Sequence, residues 1–171
     1  MTRKLLFLRH GKSSWSDPYL SDHDRPLASR GKKNAPQMAK LIKEICPDLE
    51  LILCSSSTRT QETLELIKKE ISYSNETLIL NELYLASEMQ IWKLINENSE
   101  KFSSIMVISH NPGLDELVNS VKREENDYIF FPTCALAYLK SDKTNIDGWF
   151  SDEFELVSIF RPRELSSQKE Y

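Results

Sequence analysis

Four short runs dense in Leu, Ile and Val interrupt this chain, at Lys4–Leu8, Leu49–Cys54, Thr77–Leu80 and Ser104–Ile108. The first, second and fourth show little alternation of apolar and polar residues, the pattern of strands covered on both faces. Between and after them, Asn34–Ile45, Arg59–Ile71, Ser87–Asn96 and Pro112–Val121 space their apolar residues as helices do. The resulting order, β-α-β-α-β-α-β-α, predicts an α/β fold around a covered, mostly parallel sheet. Two further runs, Ala135–Lys140 and Phe154–Phe160, have no helical stretch between them and are expected to pair antiparallel at one edge. Neither a repeat nor a Gly/Ser-rich linker divides the 171 residues, so a single domain over 1–171 is expected.

Two helices carry explicit start signals. Ser87 followed by Gln90 is a capping-box pattern, and Asn111-Pro112 reads as an N-cap followed by proline at the first helical position. Pro36 disturbs the first long helix unless that helix begins near Asn34. The tail from Arg161 onward, polar after Pro162, is expected to fray.

In an open α/β sheet ligands bind beyond the carboxyl ends of the strands, so the residues leaving each strand matter most. Here they are Arg9-His10-Gly11 after the first strand, Ser55–Arg59 after the second, Asn81-Glu82 after the third and Ser109–Gly113 after the fourth. Two of the three histidines and two arginines thereby converge on one rim. The third, His23, lies in the polar stretch Asp17–Asp24 and reads as a solvated loop residue.

With 26 acidic against 22 basic side chains the net charge is -4, so no overall positive field draws the chain to nucleic acid or to an anionic membrane. Any anion must meet a local cluster of cations. The run Leu5-Leu6-Phe7-Leu8 is too short for a secretory core or a membrane span, which makes a cytoplasmic location the expectation. Cys46, Cys54 and Cys134 are odd in number and lack CxxC spacing, and read as small buried hydrophobes. Trp15, Trp92 and Trp149 are expected to pack partly buried, with lining of a site entrance as the alternative for Trp15.

Two arginines and two histidines on one rim suit a tetrahedral dianion, most simply a phosphoryl group. The planar forks of Arg9 and Arg59 match phosphate oxygens, His110 can donate a further hydrogen bond, and a helix beginning at Pro112 would add partial positive charge. A neutral imidazole also attacks phosphorus, and His10, followed by Gly11 with its tolerance of close approach, is the stronger nucleophile candidate. His10 and His110 with Glu82 or an aspartate could in principle hold a metal ion instead. Two guanidinium charges in the same site would repel that cation, so neither a metal nor another cofactor is expected.

At these residues the chain resembles the histidine phosphatase superfamily, also called phosphoglycerate-mutase-like, and within it the small phosphohistidine phosphatase branch of SixA type. The similarity runs through Leu8–Trp15, Asp24-Arg25-Pro26-Leu27 with Arg30-Gly31, Ser55–Thr63, Leu83–Ser87 and Ser109–Gly113. The resemblance implies a three-layer α/β/α sandwich, metal-independent phosphatase activity and a covalent intermediate on His10. It further implies a phosphate pocket of Arg9, Gly11, Arg59 and His110, with Arg25 reaching in from its loop. Read without the resemblance, Arg25 is held in a loop ion pair by Asp22 or Asp24. Glu82, in a segment similar to one that supplies a proton donor in mutase-like relatives, is the candidate general acid.

The partner implied is phosphohistidine on a protein, because the short connections leave little material for a lid over a small substrate. A phosphatase of a small phosphomonoester, or a module that binds phosphate without hydrolysis, are the alternatives. Neither nucleic acid nor membrane is expected as a partner.

Overall fold

The structure, a computed structural model, describes residues 2–71, 76–121, 128–143, 148–149 and 153–167. The chain runs β1 (Arg3–Arg9), α1 (Ser29–Ile45), β2 (Leu51–Ser55), α2 (Thr58–Glu70), β3 (Glu76–Leu80) and a 3-10 turn (Asn81–Leu83). It continues through α3 (Glu88–Asn98), β4 (Ser104–Ser109), α4 (Gly113–Val121), β5 (Leu136–Ser141), β6 (Glu155–Phe160) and α5 (Pro162–Ser167). The six strands form one sheet in the order β3-β2-β4-β1-β5-β6. Neighbours among β3, β2, β4 and β1 are parallel, whereas β5 and β6 add antiparallel at the β1 edge.

The period-two geometry of a strand divides these runs between two cores. Leu5, Phe7, Leu53, Val107 and Leu139 face α3 and α4 with Trp149 and Phe154. Leu6, Leu8, Ile52, Met106 and Leu136 face α1 and α2 with all three cysteines. Burial pushes each thiol up to about 12, so the cysteines behave as apolar filling. Helices therefore cover both faces, and the architecture is the α/β/α sandwich with a mostly parallel sheet.

Several local expectations are corrected. Helix α1 begins at Ser29 rather than near Asn34 and carries Pro36 inside it. The proline removes one N–H, while the buried stripe of Gly31, Ala35, Met38, Ala39 and Ile42 passes through it, so packing outweighs the lost bond. Helix α4 begins at Gly113, and Asn111 does not cap it: its Nδ2 donates to the Phe131 carbonyl at 3.0 Å. Gly113 is required where α4 passes the connection leading into α3, because a Cβ there would lie 2.0 Å from the Ala86 carbonyl oxygen. Ser87 does cap α3, its hydroxyl accepting from the Gln90 amide at 3.3 Å. Part of the tail expected to fray forms α5, where Leu165 packs against the second core; residues 168–171 lie outside the described ones. Trp149 is 2% exposed and Trp92 is half-buried, but Trp15 is 72% exposed rather than packed.

Candidate active site

The order β2-β4-β1 places three strand ends side by side, and Arg9 lies opposite Ser109 in the register. His10, one residue beyond β1, and His110, one beyond β4, thereby come together with ring centroids 5.1 Å apart. Between β2 and α2 the Ser57 hydroxyl caps the helix, which turns Arg59 inward in the first helical turn. Its guanidinium joins the two histidines: Nε donates to His10 Nε2 at 3.3 Å, and Nη2 meets His110 Nδ1 at 3.3 Å.

These contacts assign the tautomers. His10 Nδ1 lies 2.7 Å from the Gly11 carbonyl oxygen and must carry the proton to bond there, so Nε2 keeps a lone pair directed at Arg59. His110 Nε2 lies 2.7 Å from Ser55 Oγ, with Nδ1 as the acceptor toward Arg59. Burial, then the Arg59 and Arg9 charges, push His10 down to about 3. Burial, His10 and Arg59 push His110 to about 2. Both rings are neutral at ordinary pH.

Arg9 projects from the end of β1, and its Nη1 donates to the Phe131 carbonyl at 3.0 Å. Arg25, 8% exposed, enters from the loop before α1, stacked 3.4 Å from the Trp15 ring centroid. Asp22, in the same loop, pairs with Arg25, and its other oxygen accepts from Arg59 Nη2 at 2.9 Å and from the Tyr84 hydroxyl at 2.5 Å. Burial alone would raise its pKa; the Tyr84 hydroxyl and the two guanidiniums instead hold Asp22 at about 2, as a carboxylate. Among the described residues Arg25 Nε and Nη1 and Arg9 Nε are buried without a hydrogen-bond acceptor. Buried guanidinium donors of this kind are suited to an incoming anion. Arg9, His10, Asp22, Arg25, Arg59 and His110 share one cavity of about 310 Å³, whose lining also includes Trp15 and Leu85, exposed at 72% and 52%.

Gly11 has a different place from that read in the sequence. Its N–H donates to Thr63 Oγ1 at 3.0 Å, and its missing Cβ makes room for Gly31 Cα and the Leu27 side chain, each 3.0 Å from where that Cβ would be. Glu82 lies exposed on the 3-10 turn and is not among the residues lining the cavity. His23 is half-buried rather than solvated, with Nε2 2.9 Å from Ser56 Oγ and its ring edge-on to Tyr84 at 4.8 Å. Ser55 and Tyr84 were not separable from ordinary polar residues by pattern, and Asp22, read in the sequence as a partner for Arg25, gave no sign of its second bond to Arg59. For Thr63 a signal existed: it stands four residues after Arg59, the spacing that places both on one helix face.

A family model of the histidine phosphatase superfamily (branch 1) matches residues 5–84, which include Arg9, His10, Arg25 and Arg59. An uncharacterized chloroplastic protein of Arabidopsis thaliana is 31% identical over 82% of this chain, and the chain covers about two thirds (67%) of that protein's length. The phosphohistidine phosphatase SixA of Escherichia coli is 26% identical over 86% of this chain and 91% of its own. The structure of the protein histidine phosphatase SixA complexed with tungstate superposes with a TM-score of 0.78 at 24% identity, covering 95% of this chain and 99% of the other.

Proposed function

This chain belongs to the histidine phosphatase superfamily, and on that premise we propose that it is a metal-independent phosphatase acting through His10 on phosphohistidine borne by a protein. His10 Nε2 attacks phosphorus; the P–N bond to His10 forms as the bond to the leaving nitrogen breaks. Arg9, Arg25 and Arg59 hold the phosphoryl oxygens and stabilise the charge spread over them in the transition state. Water then attacks the phosphorylated imidazole, the P–N bond to His10 breaks, and inorganic phosphate leaves.

The observation that carries the choice of substrate is the state of Asp22. It is the carboxyl group lining the cavity among the described residues, and two guanidiniums hold it ionised. An alkoxide leaving group needs a proton from a general acid, and an ionised carboxylate has none to give. A phosphorylated imidazole carrying a proton on its other nitrogen departs as neutral imidazole and needs no such donor. The exposed apolar side chains Trp15 and Leu85 at the mouth suit a side chain presented by a partner protein.

Single-turnover reaction with a labelled phosphohistidine protein is expected to leave acid-labile, base-stable phosphate on the chain. His10→Ala is expected to lower turnover about 10⁴-fold or more while phosphate binding persists. Full activity in that variant, or turnover of simple phosphomonoesters far faster than phosphohistidine, rejects the proposal.

A further inference from the structure

A second, larger cavity of about 700 Å³ adjoins the first, and six cationic residues line it: Arg9, Lys12, Arg30, Lys33, Arg161 and Arg163. Arg9, Lys12 and Thr133 line both cavities, so the two are continuous at the phosphate-holding arginine. For a chain of net charge -4, this concentration of one sign is a local departure that composition does not account for. One acidic residue, Glu164, stands in the lining, and its carboxylate meets Arg161 Nη1 at 3.0 Å.

Arg30 lies in the first turn of α1, where the helix dipole disfavours a cation and no acidic residue stands, and Lys33 follows in the next turn. Neither has an ion-pair partner among the described residues. An anion bound beside this turn offsets the unfavourable charge–dipole interaction. Lys12, Arg30, Lys33 and Arg163 are solvent-exposed, and Phe130, 65% exposed, and Pro132 and Pro162 form apolar walls. Exposed cations strung along an open trough match an extended acidic chain by charge complementarity.

We infer that this trough is the docking site for an acidic segment of the phosphorylated partner protein, lying beside the phosphohistidine while Arg9 bridges segment and phosphoryl group. The inference rests on the reading of the first cavity as the phosphohistidine site.

The test compares two phosphohistidine peptides, one flanked by glutamates and one by the matching glutamines, with phosphoramidate as a substrate lacking any flank. The glutamate peptide is expected to show a KM about tenfold lower at low salt, an advantage that fades as salt is raised. In the double variant Arg30→Glu with Lys33→Glu that advantage disappears or reverses, while phosphoramidate turnover stays at the parent rate. Equal KM values for both peptides, or retention of the preference in the variant, overturn the inference and leave the phosphatase reading intact.

If no phosphohistidine peptide is turned over, that reading fails by itself. Binding of the unphosphorylated glutamate peptide to parent and variant, followed by amide chemical shifts, then decides the trough separately. Perturbations around Arg30 and Lys33 that vanish in the variant support it. No perturbation, or stronger competition by a small bisphosphate than by the peptide, overturns it.

Discussion

At the scale of single residues, the site depends on which groups are kept neutral and which are kept charged. Arg59 holds the tautomers of His10 and His110 and competes with protonation of either ring. An ordinary histidine of pKa 6.5 is largely protonated at pH 5, whereas His10, held at about 3, should remain neutral there and able to attack. Titration of the His10 ring carbons by NMR should show no transition between pH 8 and 5; a transition near 6.5 contradicts the burial and charge argument. Asp22 presents the opposite case, since its carboxylate occupies donors of Arg25 and Arg59 that the proposed mechanism assigns to phosphoryl oxygens. Asp22→Asn removes a like charge from the anion site, and inhibition by inorganic phosphate should strengthen about tenfold. Unchanged or weaker inhibition shows that Asp22 serves mainly to hold the arginines in place.

At the scale of elements, the unit β2-α2 organises the rim. The Ser57 cap fixes the start of α2, Arg59 follows in its first turn, and Thr63, one turn later, ties the helix to the loop after β1. Thr63 Oγ1 donates to the Arg59 carbonyl at 2.7 Å and accepts from Gly11 N, so one hydroxyl couples the loop that carries His10 to the helix that carries Arg59. Thr63→Val keeps the shape and leaves the buried Gly11 N–H unpaired, at a cost of about 1–3 kcal/mol. Urea unfolding should register that loss, and kcat should fall about tenfold as His10 and Arg59 lose their shared anchor. Parent stability together with parent kcat would show the coupling to be unimportant. Helix α1 approaches the same loop closely at Gly31, where a Cβ would lie 2.6 Å from the Lys12 carbonyl oxygen.

At the scale of the whole molecule, neutral buried histidines make folding depend on pH. Below pH 6.5 the unfolded chain binds protons at His10 and His110 that the folded chain refuses until about 3 and 2. The stability contributed is therefore complete above 6.5 and is lost as pH falls toward 3. Asp22 acts in the same direction, its contribution being lost as pH falls from 3.8 through about 2. The midpoint of thermal unfolding should drop steadily below pH 6.5, and His110→Asn should flatten that slope; a slope unaltered by the substitution assigns the acid sensitivity to other groups. The order of strands and helices, the covered sheet and the candidacy of Arg9, His10, Arg59 and His110 were legible in the chain, because strand periodicity and the residues at strand ends are local properties. The starts of α1 and α4 were not, since packing of a buried stripe overrode Pro36 and the Phe131 carbonyl drew Asn111 away from capping. The Asp22–Arg25 pair and Trp15 at the mouth were both among the readings of the chain, but the second hold of Asp22, on Arg59, and the bond from Gly11 to Thr63 were not. Those depend on which strands become neighbours. The crossover that sets β4 between β1 and β2 brings Arg59 to His10 and Ser55 to His110, about fifty positions apart, and His10 N to Ser109 O, about a hundred apart, within hydrogen-bond reach, a distance over which pattern along the chain carries no information.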